Sequence, residues 1–400
     1  MWLAAGLVVL AAIGIGIYYL VTSFGSDGTA ASGGGGDVVG LYPVHVGDTW
    51  GYIDNTGKMI IQPQFAAADF FSEGLAAVMP VNPVVQASDQ ATTSEAADPE
   101  RAADQATAGA RALWGFIDRT GKLVIQPRFN EASPFSDGLA MVWASDFHGF
   151  IDTSGKKVID LQGYVEAHDF SEGLAVVGQL SGDQGYYGYI DKSGALVIPN
   201  QFYDAADFSE GLAPVSQEGK YGYIDKTGYW VIQPSYEHAG SFSEGLACVQ
   251  IETADGLLYG YIDKTGKVVI QPRFQSAEEF HEGLAVADDG SGSSQLETLG
   301  YIDKSGAMVI GMRFNAAMKF SGGLAAVYSP DAGWGYIDKT GAFVIQPKYF
   351  GGRAGLDSFT PGGLVWVSLD NSGMLDGFGG QPEPPWGYID ETGKMVWQSK

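Results

Sequence analysis

The sequence predicts an all-β protein built from about nine tandem three-stranded antiparallel units, preceded by an N-terminal transmembrane helix. Three observations carry this prediction. A short motif of Gly, Tyr or Phe, Ile and Asp, preceded in most copies by Trp or Tyr, recurs nine times after residue 37, and an uncharged apolar run opens the chain. Gly supplies 58 of the 400 residues, about twice the ordinary usage of about 7 %.

Composition and charge narrow the class of protein. Hydrophobic residues at 45 % and aromatic residues at 12 % exclude a disordered chain and allow a large core. The 47 acidic against 22 basic side chains give a net charge of −25, which argues against a nucleic-acid partner. The single cysteine, Cys248, excludes a disulfide framework and a cysteine-based zinc site, and we expect it to be a small buried residue.

Residues 1–24 are predicted to form a transmembrane helix or signal anchor. The apolar run Leu3–Val21 has about the 20 residues that a helix needs to cross a bilayer. It exceeds the usual apolar region of a cleavable signal peptide, and no Lys or Arg precedes it. Secretion after cleavage is the alternative. Residues 25–37 read as a Gly/Ser-rich linker, and Lys58 is the first basic residue, so we expect the remaining chain outside the cytoplasm, in the periplasm or at the cell surface.

The repeats occupy residues 38–400. Each copy carries one Gly inside the motif and, three residues later, one Asp that is followed by a Ser- or Thr-Gly turn. The nine Asp residues are Asp54, Asp118, Asp152, Asp191, Asp225, Asp263, Asp303, Asp338 and Asp390. A second pattern of Phe, Ser or Thr, Glu, Gly, Leu and Ala recurs between the copies, for example at Phe242–Val249.

Each unit reads as a three-stranded meander. Asp-Lys-Thr-Gly joins the second strand to the third as a hairpin, with Asp accepting backbone N–H groups and Gly adopting positive φ. The Gly-Leu pair starts the first strand through another positive-φ turn. Successive side chains of a strand point to opposite faces of the sheet. Because consecutive residues are apolar, as in Val268–Ile270, we expect the strands to be covered on both faces. We expect an aromatic ring to lie over the Gly inside the second strand.

The sequence does not determine which strand begins the repeating unit, and the two choices predict different architectures. Nine whole units form an open β-superhelix or solenoid, whereas eight units plus two complementary end fragments close a propeller-like ring. A crossover after an odd number of strands favours the open array.

These copies resemble the WG (KWG) β-rich repeat family, most clearly at Trp334–Gly341 and Phe242–Ala247. His148 and Leu299 replace the first aromatic residue in two copies. Gln-Pro is missing near Leu161, Asn200 and Met312, where we expect local reshaping. The resemblance implies a binding or structural module, often on exported proteins, and brings no catalytic motif. Residues 80–113, rich in Ala, Asp, Glu, Gln and Thr, read as a disordered or partly helical insertion.

Candidate chemistry is limited. An Asp repeated nine times should have one role nine times, which favours turn capping over acid–base catalysis or calcium binding. The five His residues are scattered and never spaced as metal ligands. We therefore predict no catalytic residue, cofactor or metal, and no cleft that gathers carboxylates of shifted pKa.

The tryptophans are the remaining ligand candidates. First-position aromatics such as Trp50 and Tyr221 are expected in the core, with a surface ladder of rings as the alternative. Tryptophans away from that position are better candidates for ligand contact if exposed: Trp143, Trp230, Trp366 and Trp397.

The sequence favours a membrane-anchored, extracytoplasmic, non-catalytic binding or scaffolding module for a protein or polymer partner. A carbohydrate-binding or carbohydrate-active protein that uses an exposed aromatic row is one alternative. The other is a structural subunit that assembles with further copies through its N-terminal helix.

Overall fold

A computed structural model describes residues 40–81, 112–182, 184–290, 299–329, 332–350, 359, 363–369 and 385–399, and every regular element in them is a β-strand. No helix in these ranges is long and apolar enough to cross a bilayer. The predicted helix 1–24, the linker 25–37 and all but the borders of the insertion 80–113 lie outside the described residues.

The nine copies each contribute three main strands. The first strands start at the Leu of the Gly-Leu pair: β1 Leu41–Val46, β4 Leu75–Pro80, β8 Leu139–Ala144, β12 Leu174–Ser181, β16 Leu212–Gln217, β20 Leu246–Thr253, β24 Leu284–Asp288, β28 Leu324–Ser329 and β31 Leu364–Ser368. The second strands end at the motif Asp: β2 Thr49–Asp54, β5 Trp114–Asp118, β9 Phe147–Asp152, β13 Gln184–Asp191, β17 Lys220–Asp225, β21 Gly256–Asp263, β25 Leu299–Asp303, β29 Gly333–Asp338 and β32 Trp386–Asp390. The third strands are β3 Met59–Ala68, β6 Leu123–Phe129, β10 Lys157–Asp160, β14 Leu196–Phe202, β18 Trp230–Tyr236, β22 Val268–Phe274, β26 Met308–Phe314, β30 Phe343–Tyr349 and β33 Met395–Gln398.

Six further strands are only two residues long. They are β7 Glu131–Ala132, β11 Glu166–Ala167, β15 Asp204–Ala205, β19 His238–Ala239, β23 Ser276–Ala277 and β27 Ala316–Ala317. Each pairs antiparallel with the next first strand, as β15 does with β16 through Asp204↔Ser216 and Ala205↔Val215. The prediction of three-stranded units was therefore incomplete, because two residues are too short to give a strand pattern in the sequence.

The described strands form eight antiparallel sheets in chain order. Six sheets have four strands, the last has three, and the first has six because β3 runs unbroken from one unit into the next. At most other borders the same crossing is interrupted by one residue, as between β14 and β15 at Tyr203, whereas residues 161–165 interrupt it between β10 and β11. Each unit is thus joined to its successor by a strand segment shared at their border.

The first and last sheets meet, so the array closes into a propeller-like ring. The rings of Tyr42 and Tyr388 lie 5.4 Å apart, and the Tyr388 hydroxyl donates a hydrogen bond to the Pro43 carbonyl at 3.2 Å. Trp50 and Trp386 stack at 6.0 Å. The open array favoured by the odd strand count was wrong, because the short extra strand changes that count.

The core lies between successive sheets. The third residue of each motif packs on the Phe that precedes the next Glu-Gly turn, and the Tyr261 ring centroid lies 4.8 Å from that of Phe280. The Tyr261 hydroxyl also donates to the Glu278 carbonyl at 2.7 Å. The eight ring pairs are Tyr52–Phe71, Phe116–Phe135, Phe150–Phe170, Tyr189–Phe208, Tyr223–Phe242, Tyr261–Phe280, Tyr301–Phe320 and Tyr336–Phe359.

The second strands are buried on both faces near their ends, as predicted, but the third strands are not. In β22 the side chain of Ile270 is buried, whereas that of Val269 is 45 % exposed. Consecutive apolar residues in the third strands therefore do not indicate that both faces are covered, and that expectation was wrong for these strands.

Backbone, and not an aromatic ring, lies over the Gly inside the second strand. A β-carbon on Gly260 would stand 2.6 Å from the Ile270 oxygen and 2.8 Å from the Pro272 nitrogen. The third strand bulges at Gln-Pro. A bulged residue is not paired with the neighbouring strand, so proline, which has no N–H, removes no interstrand hydrogen bond there. The recurrence of Trp-Gly with Gln-Pro is thus one packing device.

Two copies without Gln-Pro keep this bulge, and one is reshaped. Asn200 and Met312 occupy the proline position with their backbone nitrogens near Gly188 and Gly300. The third strand that leads to Leu161 is shortened to four residues and pairs Asp160 with Gly149. The expected reshaping is therefore confirmed only at Leu161.

Candidate functional site

The nine motif Asp residues cap their turns. The Asp263 Oδ1 accepts hydrogen bonds from the Thr265 hydroxyl at 2.6 Å, the Thr265 N–H at 2.9 Å and the Lys267 N–H at 3.1 Å. The bond from the Thr265 hydroxyl is the largest cause of the lowered pKa of Asp263. All nine copies share this geometry, so the capping role predicted from the repeat is confirmed.

The Glu before the Gly-Leu pair connects neighbouring repeats. Glu244 adopts a left-handed φ of 53°, and its carboxylate accepts the Gly283 N–H at 3.0 Å and the Lys304 ammonium at 3.0 Å. Each such carboxylate accepts the corresponding Gly N–H of the next repeat: Glu73–Gly138, Asp137–Gly173, Glu172–Gly211, Glu210–Gly245, Glu244–Gly283 and Glu282–Gly323. Sequence reasoning predicted the turn and missed this link, because its partner lies about 40 residues away.

The four candidate tryptophans have different surroundings. Trp143 is 50 % exposed, and it is the only tryptophan in the described ranges with an exposed side chain. Trp230 packs edge-on against Phe202 with ring centroids 5.7 Å apart. Trp366 and Trp397 both pack against Trp386, at 5.8 and 4.8 Å, where the ring of sheets closes. Of the four, Trp143 alone offers a broad free face.

First-position tyrosines are half-buried beside acidic side chains. The Tyr187 hydroxyl donates to the Glu166 carboxylate at 2.7 Å, and the Tyr221 hydroxyl donates to Asp204. Both acids belong to the two-residue strands β11 and β15, which pair with the first strands β12 and β16. Each acid therefore reaches across a first strand to the tyrosine on its far side. These tyrosines are therefore neither core residues nor a simple exposed ladder.

A cavity of about 280 Å³ opens beside these tyrosines, between the units that contain β12, β16 and β20. The ionisable side chains in its lining are His168, Asp204, Asp207, Tyr221 and His238. The His238 ring centroid lies 6.0 Å from that of Tyr221 and 6.1 Å from that of Tyr259. We call this cavity, with those five lining residues, the tyrosine–acid cleft.

His168 is a cation in this cleft at neutral pH. Burial alone would lower its pKa, but hydrogen bonds and charge from Asp207, at 3.0 Å, and from Glu166 raise the pKa to about 10. His238 behaves oppositely, because burial lowers its pKa and favours the neutral ring. Together with Asp204, Asp207 and Glu166, these groups leave the cleft with net negative charge.

Asp169 is half-buried next to the cleft without lining it, and its Oδ1 atom is inaccessible to solvent. Burial, and then the charge of Asp207, raise the pKa of Asp169 to about 6, and its Oδ1 has no hydrogen-bond partner. One carboxyl of raised pKa therefore lies close to the cleft but outside its lining. The carboxyls that line the cavity are engaged internally, Asp204 by Tyr221 and Asp207 by His168.

A second cavity of about 460 Å³ lies at Trp143. Its lining comprises Ala112, Asn130, Glu131 and Trp143. The indole stacks on the imidazole of His148 at 4.2 Å with an interplanar angle of 23°. Burial lowers the pKa of His148, which keeps this supporting ring neutral at pH 7. We call this cavity the Trp143 cleft.

Metal binding has no support in the described ranges, where no three His, Cys, Asp or Glu side chains are placed to hold a cation. Cys248 is buried and its thiol points to the Ala277 carbonyl, as expected for a small core residue. Some of the residues that line the two clefts lie at positions just before the Phe of the second pattern, where the copies differ: Asn130, Glu131, His168, Asp204, Asp207 and His238. Those departures from the repeat were a signal in the sequence that could have found them.

Fold and clefts define a β-repeat protein of propeller-like form whose motif polar groups serve folding and whose clefts lie where copies differ. The profile described as WG containing repeat matches residues 50–79, 114–142, 149–179, 187–221, 221–252, 259–289, 300–328 and 334–371. The chain therefore belongs to the WG-repeat family. No curated protein matches it.

Solved structures share distant likeness with the chain. The computationally designed protein Ika8 is 13 % identical, with 82 % of this chain and 96 % of that chain covered and a TM-score of 0.41. BamB from Moraxella catarrhalis is 11 % identical over 82 % and 91 %, with a TM-score of 0.36. Prolyl oligopeptidase B from Galerina marginata is 11 % identical over 68 % and 51 %, with a TM-score of 0.41. Likenesses this distant carry no argument about function.

Proposed function

We propose that the protein is a non-catalytic binding and scaffolding module, anchored in a membrane by residues 1–24 with its repeats outside the cytoplasm. The observation that supports the binding role is that the repeated polar side chains stabilise the fold, whereas polar side chains that vary between copies line a cleft. Motif Asp and Glu residues are used in turns and between repeats, as at Asp263 and Glu244. Residues that vary between copies, such as His168, Asp204 and His238, line the tyrosine–acid cleft.

The chemistry of the tyrosine–acid cleft favours a basic group on a protein partner. Asp204 and Asp207 supply negative charge, and the faces of Tyr221 and His238 border the same space. An ammonium or guanidinium group gains from both, through charge attraction and through the negative face of an aromatic ring. A volume of about 280 Å³ suits a single Lys or Arg side chain better than a whole metabolite.

A catalytic role has weaker support. Acid–base chemistry needs two carboxyls with different environments at one cleft. The carboxyls that line this cavity are both held by internal hydrogen bonds, and Asp169, whose pKa is shifted, does not line it. We therefore favour recognition over turnover at this site.

Binding to basic peptides tests the proposal. We expect the full chain in detergent micelles to select Lys- or Arg-containing peptides from a peptide array, with affinity then measured by calorimetry. Asp204→Asn should weaken the selected peptide at least tenfold. Asp255→Asn removes the same charge from an exposed hairpin residue and should leave affinity unchanged. Equal losses in both variants, or no selected peptide, would overturn the assignment, as would hydrolysis of the bound peptide.

The anchor needs its own experiment. We expect the full chain, produced in a bacterial host, to sediment with membranes, resist carbonate extraction and be digested by protease added outside the inner membrane. A shortened protein in the soluble fraction would instead establish the secreted alternative.

A further inference from the structure

Trp143 stands out because its indole is both exposed and held in place. The His148 ring stacks on one face at 4.2 Å, while half of the Trp143 side chain remains open to solvent. The two residues are direct cross-strand neighbours in the pairing of β8 with β9. An aromatic platform that is already fixed loses little side-chain entropy when a ligand settles on it.

The first copy has the same two residue types in exchanged positions, with a different outcome. There His45 pairs with Trp50, and the rings stack at 4.9 Å. Trp50 is then covered by Trp386, 6.0 Å away, where the ring of sheets closes. No such cover lies over Trp143 among the described residues, so the pair at Trp143 and His148 keeps an open face.

Polar groups surround the open indole. Glu131 is the direct cross-strand partner of Trp143 on the other side, in the pairing of β7 with β8. Asn130 precedes it, and its backbone N–H donates to the Trp143 carbonyl. Asn130 and Glu131 line the cavity together with the indole. An amide supplies both donors and acceptors, and a carboxylate accepts strong hydrogen bonds from hydroxyl groups.

We propose that the Trp143 cleft binds a carbohydrate, with one pyranose ring stacked on Trp143 and its hydroxyls bonded to Asn130 and Glu131. The axial C–H groups of a pyranose carry partial positive charge, which matches the negative face of an indole. The volume of about 460 Å³ accommodates a mono- or disaccharide. A lone ammonium group would leave most of this space unfilled. The site is separate from the tyrosine–acid cleft and goes beyond the function proposed for it.

The test uses the full chain in detergent micelles and a panel of gluco-, manno-, galacto- and N-acetylglucosamine oligosaccharides. We expect at least one to bind, with a shift of tryptophan fluorescence. Trp143→Ala should weaken that ligand at least tenfold, and Trp143→Phe should retain part of the affinity. His148→Ala frees the indole and should cost about three- to tenfold. Circular dichroism establishes that each variant is folded.

Tyr229→Ala serves as the matched control. Tyr229 is 75 % exposed on a turn and lines neither cleft, so its loss should leave carbohydrate affinity unchanged. The proposal is overturned if no saccharide binds, if folded Trp143→Ala binds as well as the parent, or if tetramethylammonium binds at Trp143 in preference to sugars. Peptide binding through Asp204 is independent of these outcomes, so the two proposals fail separately.

Discussion

Gly222 lies directly against the bulge at Pro234. A β-carbon on Gly222 would stand 2.5 Å from the Ile232 carbonyl oxygen and 2.7 Å from the Pro234 nitrogen, distances that backbone atoms cannot accommodate without moving. One contact therefore links positions 12 residues apart: it requires glycine at the first and a bulged backbone at the second. The second residue of the motif is Gly because of the strand beside it, and not because of its own φ.

Gly222→Ala should lower the free energy of unfolding by about 1–3 kcal/mol, the usual range for overpacking a tightly packed site. Gly185→Ala is the control, because no atom lies within 4 Å of a β-carbon built there. It should be neutral or slightly stabilising, since alanine restricts the unfolded chain. Guanidinium unfolding of both variants measures the difference. Equal effects would contradict the role of the bulge.

This contact shows which features of the fold can be predicted from local sequence patterns and which cannot. Hairpin turns and the role of the motif Asp depend on residues fewer than ten positions apart, and both were predicted. The Trp-Gly and Gln-Pro patterns were both visible, but their contact depends on a strand register that no local pattern specifies. The sequence left closure into a ring as one of two alternatives for the same reason, because closure depends on Trp50 meeting Trp386.

The motif Asp residues should make the protein sensitive to acid. Hydrogen bonds from the following Thr or Ser are the main cause of the lowered pKa at Asp225 and Asp263. A carboxyl with a lowered folded-state pKa stabilises the fold above its unfolded pKa, near 3.8, and this contribution is lost as pH falls through the folded value. Stability should therefore fall steeply below about pH 4.

Asp263→Asn tests this acid dependence. The variant should be less stable than the parent at pH 7, and the difference should shrink below pH 3.8, where the parent carboxyl is itself being protonated. Asp255→Asn, in an exposed loop, should match the parent throughout. Urea unfolding at a series of pH values gives the comparison. A constant difference between Asp263→Asn and the parent would count against the capping carboxylate as its source.

His168 should produce the opposite dependence at high pH. Its folded-state pKa of about 10 lies above the ordinary histidine value of 6.5, so its contribution to stability is complete below pH 6.5 and is lost as pH rises through 10. Stability should therefore decline between those limits. His168→Gln should be less stable at pH 6 and should lack this decline. A parent protein whose stability is flat from pH 6.5 to 10 would refute the charged state of His168.

The link between repeats at Glu244 should be worth more than its ion pair alone. Lys304→Ala removes an exposed ion pair worth less than about 1 kcal/mol. Glu244→Ala also leaves the Gly283 N–H without its acceptor and should cost about 1–2 kcal/mol. Glu244→Gly should cost less than Glu244→Ala, because glycine adopts the left-handed φ without strain. Thermal unfolding ranks the three variants, and a lysine variant that ranks lowest would contradict the assignment.

Closure of the ring should depend on Trp386. Trp386→Ala removes a buried indole that contacts Trp50, Trp366 and Trp397, and should cost about 3–5 kcal/mol. Trp334→Ala removes an equally buried first-position indole inside the array. Both variants should lose stability, but only Trp386→Ala should increase the radius of gyration in small-angle X-ray scattering. An unchanged radius would show that closure does not need this residue.

The candidate sites were less predictable than the fold. Trp143 was a candidate because it does not occupy the first position of the motif. The same argument applied to Trp230, Trp366 and Trp397. Their burial depends on neighbours distant in sequence, which the argument could not include. The tyrosine–acid cleft was not foreseen, because His168, Asp204 and His238 come from three different units. Their only local sign is that each departs from its sister copies.

The contact between Glu244 and Gly283 has a direction along the chain. The carboxylate of one repeat accepts a hydrogen bond from the Gly N–H of the following repeat. A copy duplicated inside the chain would find suitable partners on both sides without any new residue. Closure imposes the opposite constraint, because Tyr388 must reach Pro43. An additional copy would therefore fit locally and yet keep the two ends apart, so the number of copies is set by the circumference and not by the compatibility of neighbours.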